Sequence, residues 1–547
     1  MKTARAVRLA AFAMAAGSAI GIASAQGKPE TVGNPHVTLS EHSDHLMSLR
    51  GVMPNPDDFT HGNRQAPFHG IPAIDSPGFP EDGALQGGTS LAAGATQGLG
   101  FDGVGNGMSG FTVQYAPPDT VGAVGRNWVD ENGVVHAGQY VQVVNVGLAV
   151  FDKKTGAKLL GPLSTKSLWQ GFGGACEADD DGDAVVLYDK AADRWIVSQF
   201  AVTAAPYYQC VAVSQTPDAT GAWNRYSYNY GSVFPDYPKI GVWPDGYYIT
   251  FNMFNNGQTF AGAKVCAYDR NSMLAGAPAS QQCFQLSTSY GGLLPSDLDG
   301  AASGGSSGMP PAGAPNYVLS KGASSLYLWK FHIDWANSAN TKLTGPSTIP
   351  VATFTSACSG GTCIPQLGTS QKLDSLADRL MYRLAYRNFG SYESLVVTHS
   401  VNVGSNRKSQ HAGVRWYELR NPGGTPTVAQ QSTFAPDSNF RWMGSIAQDK
   451  QGNMALGYSV SSSGMYPAIR YTSRAATDPA STMGAEVSVV AGGGSQLSNL
   501  SRWGDYASMT VDPDDDCTFF FTTEYLKGSG TWNWSTRIAS FKFPTCQ

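Results

Sequence analysis

The chain has 547 residues with 36 Lys or Arg against 41 Asp or Glu, a net charge of −5. A surface that tracks phosphates needs clustered Lys and Arg; no such stripe exists here, which argues against nucleic acid as a partner. Its 64 glycines and 60 aromatic residues (24 Tyr, 24 Phe, 12 Trp), with plentiful Ser, Asn and Thr, fit an all-β protein with many turns.

In chain order, the first element is an export signal over residues 1–25. Lys2, Arg5 and Arg8 make a basic start, Leu9 to Ile22 an apolar centre, and Ala23-Ser24-Ala25 a cleavage site of small residues. The apolar run is too short and too rich in Ala and Gly for a membrane span, and no later stretch qualifies. A secreted or periplasmic protein is expected. Residues 26–112 lack sustained alternation and carry many Gly, Pro and polar residues, so they are predicted to be a flexible leader or propeptide. Five of the nine histidines fall there, His36, His42, His45, His61 and His69, and read best as scattered solvated side chains. Gly98 to Gly103 matches GxGxxG formally, but neither a preceding strand nor a following helix is predicted.

From 113 to 547 one phrase recurs: a polar or Arg-aromatic start, a small residue, a short apolar strand, a polar turn and a second apolar strand. Arg441-Trp442-Met443-Gly444-Ser445-Ile446 and Arg502-Trp503-Gly504-Asp505-Tyr506-Ala507 are the clearest pair, and looser copies begin near Asp119, Asp183, Asp236, Asp299 and Asp378. A β repeat that cannot bury its own face must stack on its neighbours. The fold class expected is therefore all-β, a β-propeller of seven blades of antiparallel strands behind a loosely ordered N-terminal leader; the irregular region from Gly300 to Lys372 leaves six blades as the alternative. Gly300 to Gly313 is read as a mobile loop, and its formal GxSxG has no strand–turn–helix context.

The eight cysteines are an even set without CxxC spacing, as a disulfide framework requires. Proximity suggests Cys176 with Cys210, Cys266 with Cys283, Cys358 with Cys363, and Cys517 with Cys546, although spacing alone does not fix connectivity.

The residues leading into the first strand of each blade should ring one mouth of the axis. They include Asp119, Asp183, Asp236, Asp378, Arg379, Arg441 and Asp505, charges that must be solvated, paired or bound to something. Asp capping its own turn is the plainer account. Arginine forks suit a carboxylate, and hydrolysis of a glycosidic bond needs two carboxyls. Asp378, Glu393 and Asp505 are the catalytic candidates, with Glu524 also available and Tyr382 or Tyr506 as alternative nucleophiles. Asp236, Arg379, Arg441, Trp442, Arg502, Trp503 and Tyr506 are the ligand-binding candidates. The run Asp179-Asp180-Asp181-Gly182-Asp183 resembles a calcium loop without the distant Glu, so Asp179, Asp181 and Asp183 are candidate ligands of a structural calcium.

Pro118 to Gly125, Gly182-Asp183 through Asp189, Asp236 to Trp243 and Arg502 to Tyr506 resemble a family of exported bacterial β-propellers. That likeness implies fold and export, and brings no catalytic assignment. Ser214 to Trp223 is faintly similar to the Asp-box of sialidase-type propellers but departs from its spacing. The function expected is binding of an extracellular polysaccharide or glycan at the axial mouth, as a glycoside hydrolase or lyase; the alternative is a non-catalytic recognition or adhesion module.

Overall fold

The computed structural model describes residues 31–60, 62–72, 82–88, 94–300, 308–404 and 409–547. The export signal, His61 and half of the low-complexity loop, residues 301–307, lie outside the described residues. The fold is all-β and of propeller type. Its sheets are antiparallel meanders whose innermost strands are Val121–Val124, Val185–Asp189, Val233–Trp243, Leu294–Leu298, Met381–Asn388, Phe440–Gln448 and Ser508–Val511. Each innermost strand touches the next, and the last touches the first, so the sheets close around an axis. Leu294–Leu298 and Met381–Asn388 also pair directly in parallel, Ser296 opposite Leu384.

The inner strands read as nearly unbroken apolar runs because both faces are covered. Val121–Val124 and Val185–Asp189 are buried at every position. The aromatic residues fill the space between sheets: Trp195, Trp223, Trp243, Trp329 and Trp534 are among the largest fully buried side chains. Two five-residue α-helices, Gly174–Ala178 and Arg270–Leu274, occur among the described residues, and neither interrupts a sheet. Ser370 to Ala385, the nearest helical candidate, contains parts of two strands, Thr369–Asp374 and Met381–Asn388. No helix among the described residues is long and apolar enough to cross a membrane.

The expectation of a loose leader is corrected for its described strands. His36–Leu39 adds to the edge strand Ser280–Gln285, and His42–Leu46 adds to Trp223–Gly231. Thr96–Asp102 pairs with the last strand, Trp534–Lys542, and supplies the outer strand of the final sheet. These segments lack alternation because they are edge strands. Their order comes from hydrogen bonds to a preformed edge rather than from an apolar face of their own.

All four disulfides form as proximity suggested: Cys176–Cys210, Cys266–Cys283, Cys358–Cys363 and Cys517–Cys546. Such bonds persist in oxidising compartments.

Candidate active site

Left-handed backbone marks the mouths of the inner strands. Asp119 (φ 48°), Asp183 (φ 46°), Gly292 (φ 60°) and Asp505 (φ 60°) lie just before an inner strand, and Tyr237 (φ 56°) and Met443 (φ 53°) at register shifts within one. Asp tolerates this conformation better than most residues with a Cβ, which explains its recurrence in the repeat. At Gly292 a Cβ would also meet that of Arg379 at 2.7 Å, so glycine is required there twice over.

Asp119, Asp183, Tyr237 and Asp505 open onto one axial cavity of about 480 Å³, a size that takes a small ligand. Asp181, Asp236, Arg379 and Arg502 also line it, with Phe200, Tyr207 and Phe234 on one wall. Over the mouth runs a strap from the N-terminal region. Arg64 and Gln65 pair with Tyr115 and Ala116, and the strap contributes Phe68 and His69 to the lining. The arginines pin it: Arg502 donates to the Ala66 carbonyl at 3.2 Å and Arg379 to the His69 carbonyl at 3.1 Å.

The carboxyls are not equivalent. Asp119 is 2% exposed and accepts a hydrogen bond from Asn145 at 2.7 Å. Burial, then the charges of Asp183 and Asp505, hold its acid form well above the usual carboxylate range. Asp183 shares a hydrogen bond with Asp119 and accepts another from the Tyr506 hydroxyl at 3.1 Å. Burial and the charge of Asp236 push it up to about 6, against the pull of Lys239. Of the two, burial favours the acid form of Asp119 and leaves Asp183 the more readily ionised. Asp236 faces His69 at 3.5 Å, and this hydrogen bond raises the imidazole pKa despite burial.

Beneath the floor lies Lys239, fully buried. Its ammonium sits 2.9 Å from the centre of the Tyr506 ring and 3.1 Å from that of Tyr237, with no hydrogen-bond acceptor among the described residues. Burial holds its pKa well below the ordinary lysine value, although Asp183, Asp119 and Asp505 oppose the shift.

The structure brings together Asp236, Arg379, Arg502 and Asp505 from the sequence-based candidates, with Tyr506 directly below. Asp378 stays beside them, forked onto Arg379 at 2.7 and 3.0 Å. Others are corrected. Glu393 accepts from Tyr386 at 2.7 Å and Tyr317 at 3.2 Å, away from the cavity lining. Arg441 is spent on Asp437 and Glu486. Trp442 and Trp503 are wholly buried and pack on each other at 6.0 Å, so neither can stack on a ligand. The repeat placed them correctly at the strand mouths, but there bulky aromatics serve as wedges between sheets. Tyr382 is likewise buried, donating to the Ile240 carbonyl at 3.1 Å. Glu524 is buried against the Gly504 amide at 2.9 Å.

The acidic run does not act as one unit. Asp180 turns inward to the Ser164 and Thr165 hydroxyls, Asp181 takes the Thr203 hydroxyl at 2.8 Å, and Asp183 joins Asp119. No group of three or more His, Cys, Asp or Glu side chains is gathered for a metal among the described residues. Sequence reasoning missed the strap, Lys239 and Asp374. Lys239 lies inside the repeat phrase that begins at Asp236, so its position was legible although its burial was not.

No protein-family model matches the chain, and no curated protein is significantly similar to it. Among solved structures it is similar to a Trypanosoma rangeli sialidase in complex with sialic acid, at 12% identity and a TM-score of 0.32, over 83% of this chain and 59% of that one. It is also similar to an exo-β-1,3-galactanase from Phanerochaete chrysosporium with galactose (10% identity, TM-score 0.27, 77% of this chain and 96% of that one). An α-L-arabinofuranosidase from Lactobacillus brevis matches at 12% identity and a TM-score of 0.26, over 57% of this chain and 92% of that one. The chain thus spans under two thirds of the sialidase, and likeness at this level carries no argument about the chemistry of the site.

Proposed function

We propose that the chain is an exported, seven-bladed β-propeller that binds a glycan in its axial cavity and cleaves a glycosidic bond there. The single observation that carries this reading is the gathering of Asp119, Asp183 and Asp236 in one aromatic-walled cavity, with burial favouring the acid form of Asp119. Glycosidic cleavage asks for a proton-bearing carboxyl and a second, separate carboxylate, parts that fall here to Asp119 and Asp236. Asp119 donates its proton to the departing glycosidic oxygen. Asp236, held only loosely by His69, takes a proton from the attacking water. Phe68 and Tyr207, among the more exposed aromatics of the lining, offer the apolar faces on which sugar rings stack.

The test is a panel of polysaccharides scored for release of reducing ends. Wild type should release sugar from at least one polymer, and Asp119→Asn should lose activity by about 10²-fold or more while keeping its fold. Glycan binding without release from any polymer would reduce the proposal to a recognition module using the same cavity.

A further inference from the structure

We propose that the axial cavity takes a saccharide presenting hydroxyl or ammonium donors and rejects sugars bearing a carboxylate. This deepens the glycan-binding reading and rests on it. An acidic sugar is held by a free guanidinium fork. The cavity has two guanidinium groups in its floor, and neither is free. Arg379 gives its Nε and one terminal nitrogen to Asp378, at 2.7 and 3.0 Å, and its ring-facing side to Tyr237. Arg502 is divided between Asp374 at 2.9 Å and Asp505, with its Nε on the strap. A ligand carboxylate would have to displace one of these buried carboxylates and leave it unpaired.

Acceptors are what the cavity leaves open. Asp119 and Asp505 line the cavity although both are nearly buried, and Asp119 is already engaged by Asn145 and Asp183. Asp181, Asp183 and Asp236 add further carboxylates to the lining. Against them stand Arg64, exposed at the rim, and His69, already turned to Asp236. Lys239 is screened from the cavity behind the faces of Tyr237 and Tyr506. The chemistry that completes this arrangement is a ligand that donates hydrogen bonds, and a cationic amine gains most from the excess of carboxylates.

The experiment is isothermal titration of the full chain with three oligosaccharides of equal length: glucosamine (ammonium), N-acetylglucosamine (neutral) and galacturonate (carboxylate). At least one of the first two should bind 10-fold or more tighter than the galacturonate. In Asp505→Asn, which releases part of the Arg502 fork, the gap should narrow several-fold; in Asp236→Asn the glucosamine oligosaccharide should weaken. Circular dichroism of each variant confirms that it folds. Galacturonate binding as tightly as the others would overturn this inference and leave the glycan reading standing. No binding by any of the three, with a polysaccharide panel equally silent, would overturn both.

Discussion

Lys239 shows how one side chain sets the charge of its neighbours. An ammonium buried between two tyrosine faces offsets the carboxylates above it and is itself pushed toward neutrality by burial. Lys239→Met removes the group that pulls the pKa of Asp183 down, so that pKa should rise above its value of about 6, as read by carboxyl NMR titration. The charges of Asp236 and Asp505 remain to disfavour its ionisation, opposed by the hydrogen bond from Asp119. The same residues give ligand binding a pH dependence. Asp183 loses its proton near pH 6, and His69, raised above the ordinary imidazole value by Asp236, loses its own at higher pH; both changes make the cavity more negative. Affinity for an ammonium-bearing oligosaccharide should therefore rise with pH, until the amine itself deprotonates.

At the scale of single elements, the strap over residues 64–72 matters most to the site. It is short and exposed, and it is held by Arg379, Arg502, Asp378 and a hydrogen bond between the Ser501 amide and Gln65 at 3.1 Å. Replacing Phe68, which is 43% exposed at the cavity edge, by Ala should leave thermal stability almost unchanged and weaken glycan binding by about 1–2 kcal/mol, the worth of one exposed aromatic platform. The disulfides make a graded set. Cys176–Cys210 spans 34 residues and Cys358–Cys363 spans 5, so by loop closure the first should contribute about 4 kcal/mol and the second about 2 kcal/mol. Unfolding of the two Cys→Ser pairs in denaturant would order them, and equal losses would contradict the chain-entropy account.

For the whole molecule, the ring depends on contacts between its two ends. Thr96–Asp102 completes the last sheet, Gln142 of the first sheet donates to Thr522 of the last at 2.8 Å, and Lys153 reaches Asp512 at 2.7 Å. A chain beginning at residue 104 loses three edge strands, His36–Leu39, His42–Leu46 and Thr96–Asp102, and the strap, together with the ion pairs of Asp102 to Arg537 at 3.0 Å and to Lys527 at 2.9 Å. It should unfold at a markedly lower temperature in calorimetry, because three sheets lose their outer strand while the inner ring keeps its contacts. Stability should also fall as pH rises. Burial pushes Asp180 and Asp374 up to about 7 and Asp183 up to about 6. These groups favour the folded state fully below the unfolded carboxylate range, and that contribution is lost as pH rises through 6 to 7. The melting temperature should drop by several degrees between pH 5.5 and 8, and Asp180→Asn should flatten the slope.

The repeat phrase, the cysteine spacing and the apolar runs were enough to anticipate an all-β ring, the four disulfides and the recurrence of Asp at the strand mouths. These are local or periodic properties: a turn needs a residue that tolerates positive φ, and a strand covered on both faces needs an unbroken apolar run. Which mouth residues would share a cavity was beyond that reading. Asp119, Asp183, Asp236 and Asp505 meet across the axis, while Arg441 and Trp442, at the same point of the repeat, are consumed by Glu486 and by packing. The N-terminal segment looked loose because its strands borrow their order from edges made hundreds of residues later. Burial, pairing and the sharing of a proton depend on neighbours distant in the chain, and only the closed tertiary structure supplies those.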